Sequence, residues 1–469
     1  MSKYSKLIKN TGVFFIANFG SKILAFLLVR FYTEFLSTQE YGIIDLLTTT
    51  SSLAFPIVTL CVTEAVLRFS IDDKDNRGKI LTNGLLVAFI GNFVFVFSAP
   101  LFVRLDAFAD NVWWIYLLTL SNSLYTISAH FSRGIGQSKL FAMSGVVHTI
   151  LQLGLNILFL AAFSWGIKGY LVASVLANVV TTFFVLIFGK LHIYIIRNID
   201  KKYLKTMLIY AMPLIPNSIF WWMMQSANRY IILYLLSSAD NGLYAVANKI
   251  PTLITTFSGI FFQAWQISSV EEASSDQKAK FYTDIFSALT LMLCVATSFI
   301  LVIIQPLYGL LTEATYYVGW TCVPFLLCAT LFSCYSSFLG TNYVAMKKTN
   351  GVFLTTVIGA ISNVALNFLL IPLVGLEGSA LATFIAFFIT WVARNLGTRK
   401  FVKISYRFRT FWLPFILIVT QSTLLTFGVQ SMLVQLGFFI FICLIFAKEL
   451  SSYLKLALRY IKKRGRFNT

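Results

Sequence analysis

Apolar runs of about 20 residues, the length a helix needs to cross the hydrocarbon core of a bilayer, recur along the whole chain and are separated by short polar joints. They predict fourteen transmembrane helices: Gly12 to Tyr32, Ile43 to Phe69, Ile80 to Val103, Val112 to Ile135, Phe141 to Phe163, Tyr170 to Leu191, Met207 to Leu236, Leu243 to Val270, Phe281 to Ile304, Val318 to Ala345, Val352 to Leu373, Ser379 to Leu396, Phe411 to Gln430 and Leu433 to Leu450. The first reads as a span rather than a removed signal, because it is long and leads into further spans. The expected fold is therefore an all-α integral membrane protein.

Composition agrees: of 469 residues, 58% are hydrophobic and only 12% charged, against about 45–50% and 25% in soluble domains. The net charge of +19 invites a nucleic-acid reading, but the basic residues are not spread evenly. With the N-terminus inside, nearly all loop Lys and Arg fall on the inner side, and the outer loops hold Arg104 and Lys168 beside the acids Glu34, Glu40, Asp106, Asp110, Asp240, Glu313 and Glu377. That is the positive-inside pattern; it puts both termini in the cytoplasm and makes nucleic acid no partner. The segments His192 to Lys205 and Gly397 to Arg409, and the tail Lys455 to Arg466, read as basic cytoplasmic flanks against anionic membrane lipid.

An internal repeat organises the spans. In the fifth and sixth, Asn156 and Gly166-Ile167-Lys168-Gly169 answer Asn367 and Gly375-Leu376-Glu377-Gly378 in the eleventh and twelfth. A weaker echo matches Arg30 and Tyr41-Gly42-Ile43 with Arg229 and Asn241-Gly242-Leu243. Two copies with six spans each form two lobes of one topology, residues 1–200 and 201–410, followed by an additional helix pair and basic tail at 411–469. Parallel repeats of this kind place a transporter's substrate in the cleft between them.

Charges inside spans are the candidate site, because each costs about 2.5–3.5 kcal/mol to insert. Lys22 sits mid-way in the first span with Asn18 a turn before it and Arg30 two turns after, forming one polar stripe. Arg229 follows Gln225 by one turn in the seventh span, and Lys249 lies two turns into the eighth. For Arg30 and Lys249 a side chain snorkelling to the interface is an equal alternative. Asp45, near the outer end of the second span, is either wet or a coupling group; Glu64 and Arg68, four residues apart, suit a local ion pair or gating. His130 and His148 read first as packing elements. Trp113, Trp114, Trp165 and Trp320 read as interfacial anchors, and Pro213 and Pro216 as a break at the start of the seventh span. Pro56 and Pro251 are candidate kinks in the second and eighth.

No catalytic constellation, metal-ligand set or phosphate-binding glycine loop stands out, and all six cysteines lie in apolar runs. An enzyme, a cofactor and a metal are therefore not expected; a coupling H+ or Na+ is the one small ligand left open.

The opening NTGVFFIANFGSKILAFLLVRFYTEFLSTQEYGIIDLL, with its Leu-Ser-Thr connector before Tyr41-Gly42 and the later Glu64-Ala65-Val66-Leu67-Arg68-Phe69, resembles Wzx-type polysaccharide flippases of the multidrug/oligosaccharidyl-lipid/polysaccharide exporter superfamily. The likeness extends in span order to about residue 400. It implies a V of two six-helix lobes, as in the superfamily's multidrug exporters, plus the C-terminal pair, in a bacterial plasma membrane. The implied activity is moving an undecaprenyl-pyrophosphate-linked oligosaccharide repeat unit to the outer leaflet for capsule, exopolysaccharide or O-antigen synthesis. Polymerase and glycosyltransferases of the same pathway are implied partners. The cationic cleft fits a pyrophosphate. A lipid II flippase of the superfamily is the alternative. A cation-coupled multidrug exporter would want an acid where Lys22 and Arg30 stand, and a membrane glycan polymerase would need a long external loop that is missing.

Overall fold

The computed structural model describes residues 28–104, 108, 110–196, 199–271, 277–346 and 350–451, and these are helical throughout, with no strand. The cause is the bilayer composition: backbone polar groups in hydrocarbon must pair within their own segment. The first helix, α1, is described over residues 28–35. Then follow α2 (Thr38–Val58), α3 (Val62–Asp72), α4 (Arg77–Val96), α5 (Ala99–Val103), α6 (Val112–Gly134), α7 (Ser138–Asn156), α8 (Gly166–Phe188) and α9 (Lys201–Ala211). After these come α10 (Leu214–Leu235), α11 (Ser238–Ala247), α12 (Lys249–Glu271), α13 (Lys278–Leu311), α14 (Val323–Ala345), α15 (Asn350–Val374), α16 (Leu376–Thr398), α17 (Leu413–Phe427) and α18 (Met432–Ile445).

Among the described residues nine helices are long and apolar enough to span, or ten when α9 and α10, bent 41° to each other, are one span. Several of the fourteen expected spans have other forms. The second is two helices, α2 and α3, separated where Leu60 and Cys61 take left-handed backbone angles just past Pro56. The eighth is likewise split at Asn248 into α11 and α12, and Pro251 lies in the first turn of α12, where its missing N–H costs nothing. The break before α10 falls at Pro213, as predicted.

The helices sort by what they cover. In the first half α6 packs on α2, α3, α4 and α8, and α7 on α8; in the second α16 packs on α14 and α15, and α15 on α10. Helices α17 and α18 lie against α13, with α17 also on α14. Large apolar side chains such as Phe93, Phe188, Leu373 and Leu433 point outward and are more than two-thirds exposed, which suits a lipid-facing surface. Trp113 and Trp165 are also exposed, but Trp320 is 4% exposed and belongs to the core rather than to an interfacial belt.

The repeat is visible in backbone detail. Gly166 and Gly375 open α8 and α16 with φ of +54° and +78°, and in each case the glycine three residues on sits against a carbonyl of the preceding segment, Gly169 on Phe159 and Gly378 on Leu370. Asn156 and Asn367 are both fully buried; the first donates to the Tyr32 hydroxyl at 3.1 Å, the second accepts from Ser379 at 2.7 Å.

Candidate functional site

The two halves of the chain meet where α2 crosses α11, and the sequence explains why there. Each helix starts on a serine whose hydroxyl accepts an amide N–H three residues on, Ser37 from Glu40 and Ser237 from Asp240, so both chains enter the crossing at a fixed angle. Gly42 and Gly242 then face each other: a Cβ on Gly42 would stand 1.8 Å from the Ser238 carbonyl oxygen, and one on Gly242 would stand 1.9 Å from that of Thr38. The contact is reciprocal, repeat position against repeat position. Only glycine permits so close an approach of backbones. Asn241 adds a hydrogen bond to the Gly42 carbonyl at 3.0 Å.

Two ion pairs flank this crossing, and both join one half to the other. Arg229 on α10 donates from Nε to Asp45 on α2 at 3.0 Å, with only 13% and 16% of the two side chains exposed. Its guanidinium also reaches the Asn228 side chain and lies over the Tyr244 ring, 5.7 Å from the centroid. Arg30 on α1 pairs with Glu313 and donates to the Thr312 carbonyl, in the turn after α13. This second pair is about 40% exposed. The echo of Arg30 in Arg229 is thus also an exchange: each half sends an arginine to a carboxylate of the other.

Past the crossing the helices diverge. Helix α3 packs on α4, α6 and α9, whereas α12 packs on α14. Between α10, α12, α14 and α16 lies a cavity of about 330 Å³, with Gln225 and Trp221 at its α10 edge.

The predicted residues therefore have different fates. Arg30 and Arg229 are engaged by carboxylates rather than standing free for an anion. Asp45 is largely shielded as the partner of Arg229. Lys249 opens α12, half-buried, and makes no ion pair among the described residues. Gln225 is exposed toward the cavity. Arg68 pairs with Asp72 at 3.0 Å rather than with Glu64; Glu64 lies in the first turn of α3, where an acid favours the helix N-terminus. Lys22 and Asn18 lie outside the described residues. His148 stacks on Tyr125 and bonds Asn178 at 3.0 Å, a packing role. Sequence reasoning missed Glu313 as a partner, since it stands 283 residues from Arg30 and no local pattern links them.

The inner-side segment 192–205 also differs from a free flank. Asp200 caps α9 through the Tyr203 amide and pairs with Lys79 at 3.0 Å, and Tyr203 donates to Asp73. The Tyr203 amide and Lys79 hold the Asp200 carboxyl below the usual range, as Asn76 and Tyr203 do for Asp73.

A family of polysaccharide biosynthesis proteins matches residues 7–266, more than half the chain. The chain belongs to that family. No curated protein matches its sequence. Among solved structures it is similar to the lipid II flippase MurJ in an inward closed conformation, with a TM-score of 0.72, 16% identity and coverage of 94% of this chain and 99% of that one. It is also similar to an inward-facing multidrug resistance MATE family transporter of the MOP superfamily, at 0.62, 13%, 85% and 96%. A MOP superfamily transporter from Pyrococcus furiosus, described as having a binding pocket of reversed polarity, follows at 0.56, 12%, 86% and 97%. The family member is thus a multi-pass membrane protein with the fold of the MurJ and MATE transporters.

Proposed function

We propose that this family member is a flippase, not an enzyme, that carries polyprenyl-pyrophosphate-linked oligosaccharide repeat units across a bacterial plasma membrane from the cytoplasmic to the outer leaflet. Residues 1–200 and 201–410 act as two lobes, with 411–469 appended. The reciprocal α2–α11 crossing with its exchanged ion pairs carries the mechanism. It ties the halves at the end that the charge distribution assigns to the outside; toward the cytoplasm, where the substrate is made, α3 and α12 diverge while α9 and α10 still join the halves through α3 and α2. Rocking that separates the crossing breaks Arg229–Asp45 and Arg30–Glu313, opens the outer end and exposes the arginines to the pyrophosphate, while the polyprenyl tail stays in lipid. Lys22 and Lys249 extend that cationic path, Asn18 and Gln225 its polar edge. A coupling H+ or Na+, and polymerase and glycosyltransferase partners, belong to the same reading.

Membership in a polysaccharide biosynthesis family supports a glycan substrate. Likeness to a lipid II flippase across nearly the whole chain favours lipid II as the second reading. The test is the leaflet distribution of each lipid-linked glycan with and without the protein, read by an impermeant label of the outer face. Loss should trap the repeat-unit lipid inside while lipid II still appears outside. Trapping of lipid II selects the second reading, and trapping of neither overturns both.

A further inference from the structure

Among the described residues, the cavity between α10, α12, α14 and α16 is lined by no charged side chain, in a protein whose expected path is cationic. Two hydroxyl rows face it at helical spacing, Thr252, Thr255 and Ser258 from α12 and Thr330, Ser333 and Ser337 from α14. The threonines are spoken for: Thr252, Thr255 and Thr330 donate to carbonyls of their own helices. The serines are not. Ser258 is 1% exposed and its hydroxyl has no hydrogen-bond partner; the nearby Cys334 thiol is a weak one. Ser333, Ser337 and the Gln225 amide likewise make no side-chain hydrogen bond among the described residues, although a helical serine ordinarily finds a carbonyl one turn back. Buried polar groups are nearly always satisfied, so the orphaned Ser258 hydroxyl, facing a cavity where the half-buried Ser333 and Ser337 and the exposed Gln225 are also open, points to a missing ligand. Trp221, Phe262 and Phe387 add flat apolar faces.

We infer that this cavity is a subsite for a neutral sugar of the transported glycan. A sugar ring presents hydroxyls that both donate and accept, matched by serine hydroxyls and a primary amide, and apolar C–H faces that lie on aromatic rings. A lining without charge among the described residues disfavours the pyrophosphate here, so phosphate and sugar are read in separate places: the anion along the arginine path and the sugar inside the second half of the chain. The volume is at the small end of the about 300–1,000 Å³ typical of small-molecule sites, enough for a short piece of glycan. The inference rests on the flippase reading for the identity of its ligand.

The test places a reporter in the cavity of the full-length protein in proteoliposomes. In the Ser337→Cys variant, labelling by a small neutral maleimide is followed above the parent background, with polyprenyl pyrophosphate bearing a neutral trisaccharide, or bare polyprenyl pyrophosphate, as probe. At ten times its Kd the glycosylated probe should slow labelling about tenfold, since the free fraction falls to about a tenth, and the bare probe should not. Ser333→Leu, which fills the cavity, and Gln225→Leu, on the exposed edge where folding is not at stake, should both weaken this protection. Equal slowing by both probes, or by neither, overturns the subsite. Transport of the glycosylated probe, measured in the same vesicles, separates the two claims: protection without transport keeps the subsite and removes the flippase reading.

Discussion

Two arginines that look alike in sequence are set apart by burial. The Asp45–Arg229 pair is largely shielded, and removing one partner of a buried pair costs about 3–5 kcal/mol because the other charge is left uncompensated. The Arg30–Glu313 pair is about 40% exposed, and such pairs are worth about 0–1 kcal/mol. Thermal unfolding of the purified protein should therefore show a large loss for Asp45→Asn and almost none for Glu313→Gln; equal losses would mean that burial does not set the ranking. The sequence made Arg229 legible as a candidate, since a cation that deep demands a reason. It did not make Asp45 legible as that reason, because the two stand 184 residues apart and only packing of the repeats brings them together. The cavity serines were hidden for another cause: a hydroxyl in a span is unremarkable until its missing partner can be seen.

At the scale of helices, the repeat glycines were readable because spacing survives in sequence, and their partners follow from it by symmetry. Gly42→Ala and Gly242→Ala should each force α2 and α11 apart, since the added methyl would fall inside a backbone carbonyl, and overpacking of this kind costs about 1–3 kcal/mol or more. Gly145→Ala and Gly154→Ala, with nothing within 4 Å, should be neutral or slightly stabilising in the same unfolding assay. Similar effects at all four positions would deny the crossing its role. Pro56 and Pro251 marked the second and eighth spans as interrupted, but not that each splits into two helices, because hydropathy does not register two left-handed residues or a turn at one asparagine. The docking of α9 is likewise tertiary, and it titrates. Asp73 and Asp200 have carboxyls held below their ordinary values, so their contribution is complete above the unfolded pKa of about 4 and disappears as pH falls through the lower folded values. The difference in melting temperature between the parent and Asp73→Asn/Asp200→Asn should accordingly be full near neutral pH and shrink below about pH 4; a difference that grows on acidification would reverse the sign of the linkage.

For the whole molecule, the two ion pairs and the glycine crossing act at one end, so a rocking motion must break them together. Asp45→Asn and Glu313→Gln then bias the same equilibrium and should do so in concert, even though only the first alters stability much. Ser238, half-buried at the start of α11 and against Gly42, reports the state of that end. In Ser238→Cys, labelling by a membrane-impermeant maleimide should be slow, faster after Asp45→Asn, and fastest after Asp45→Asn with Glu313→Gln. A mutation that merely loosens the fold would also expose Cys443, which lies half-buried on α18, far along the chain from the crossing, so its unchanged labelling distinguishes opening from unfolding. The side from which the reagent acts decides the orientation that the basic loops predict: label added to intact cells should react if the crossing is external. Reaction only in inverted vesicles would turn the molecule over and make the sealed end cytoplasmic. The cavity would then face the outer leaflet, and the same fold would have to load its glycan from the opposite side.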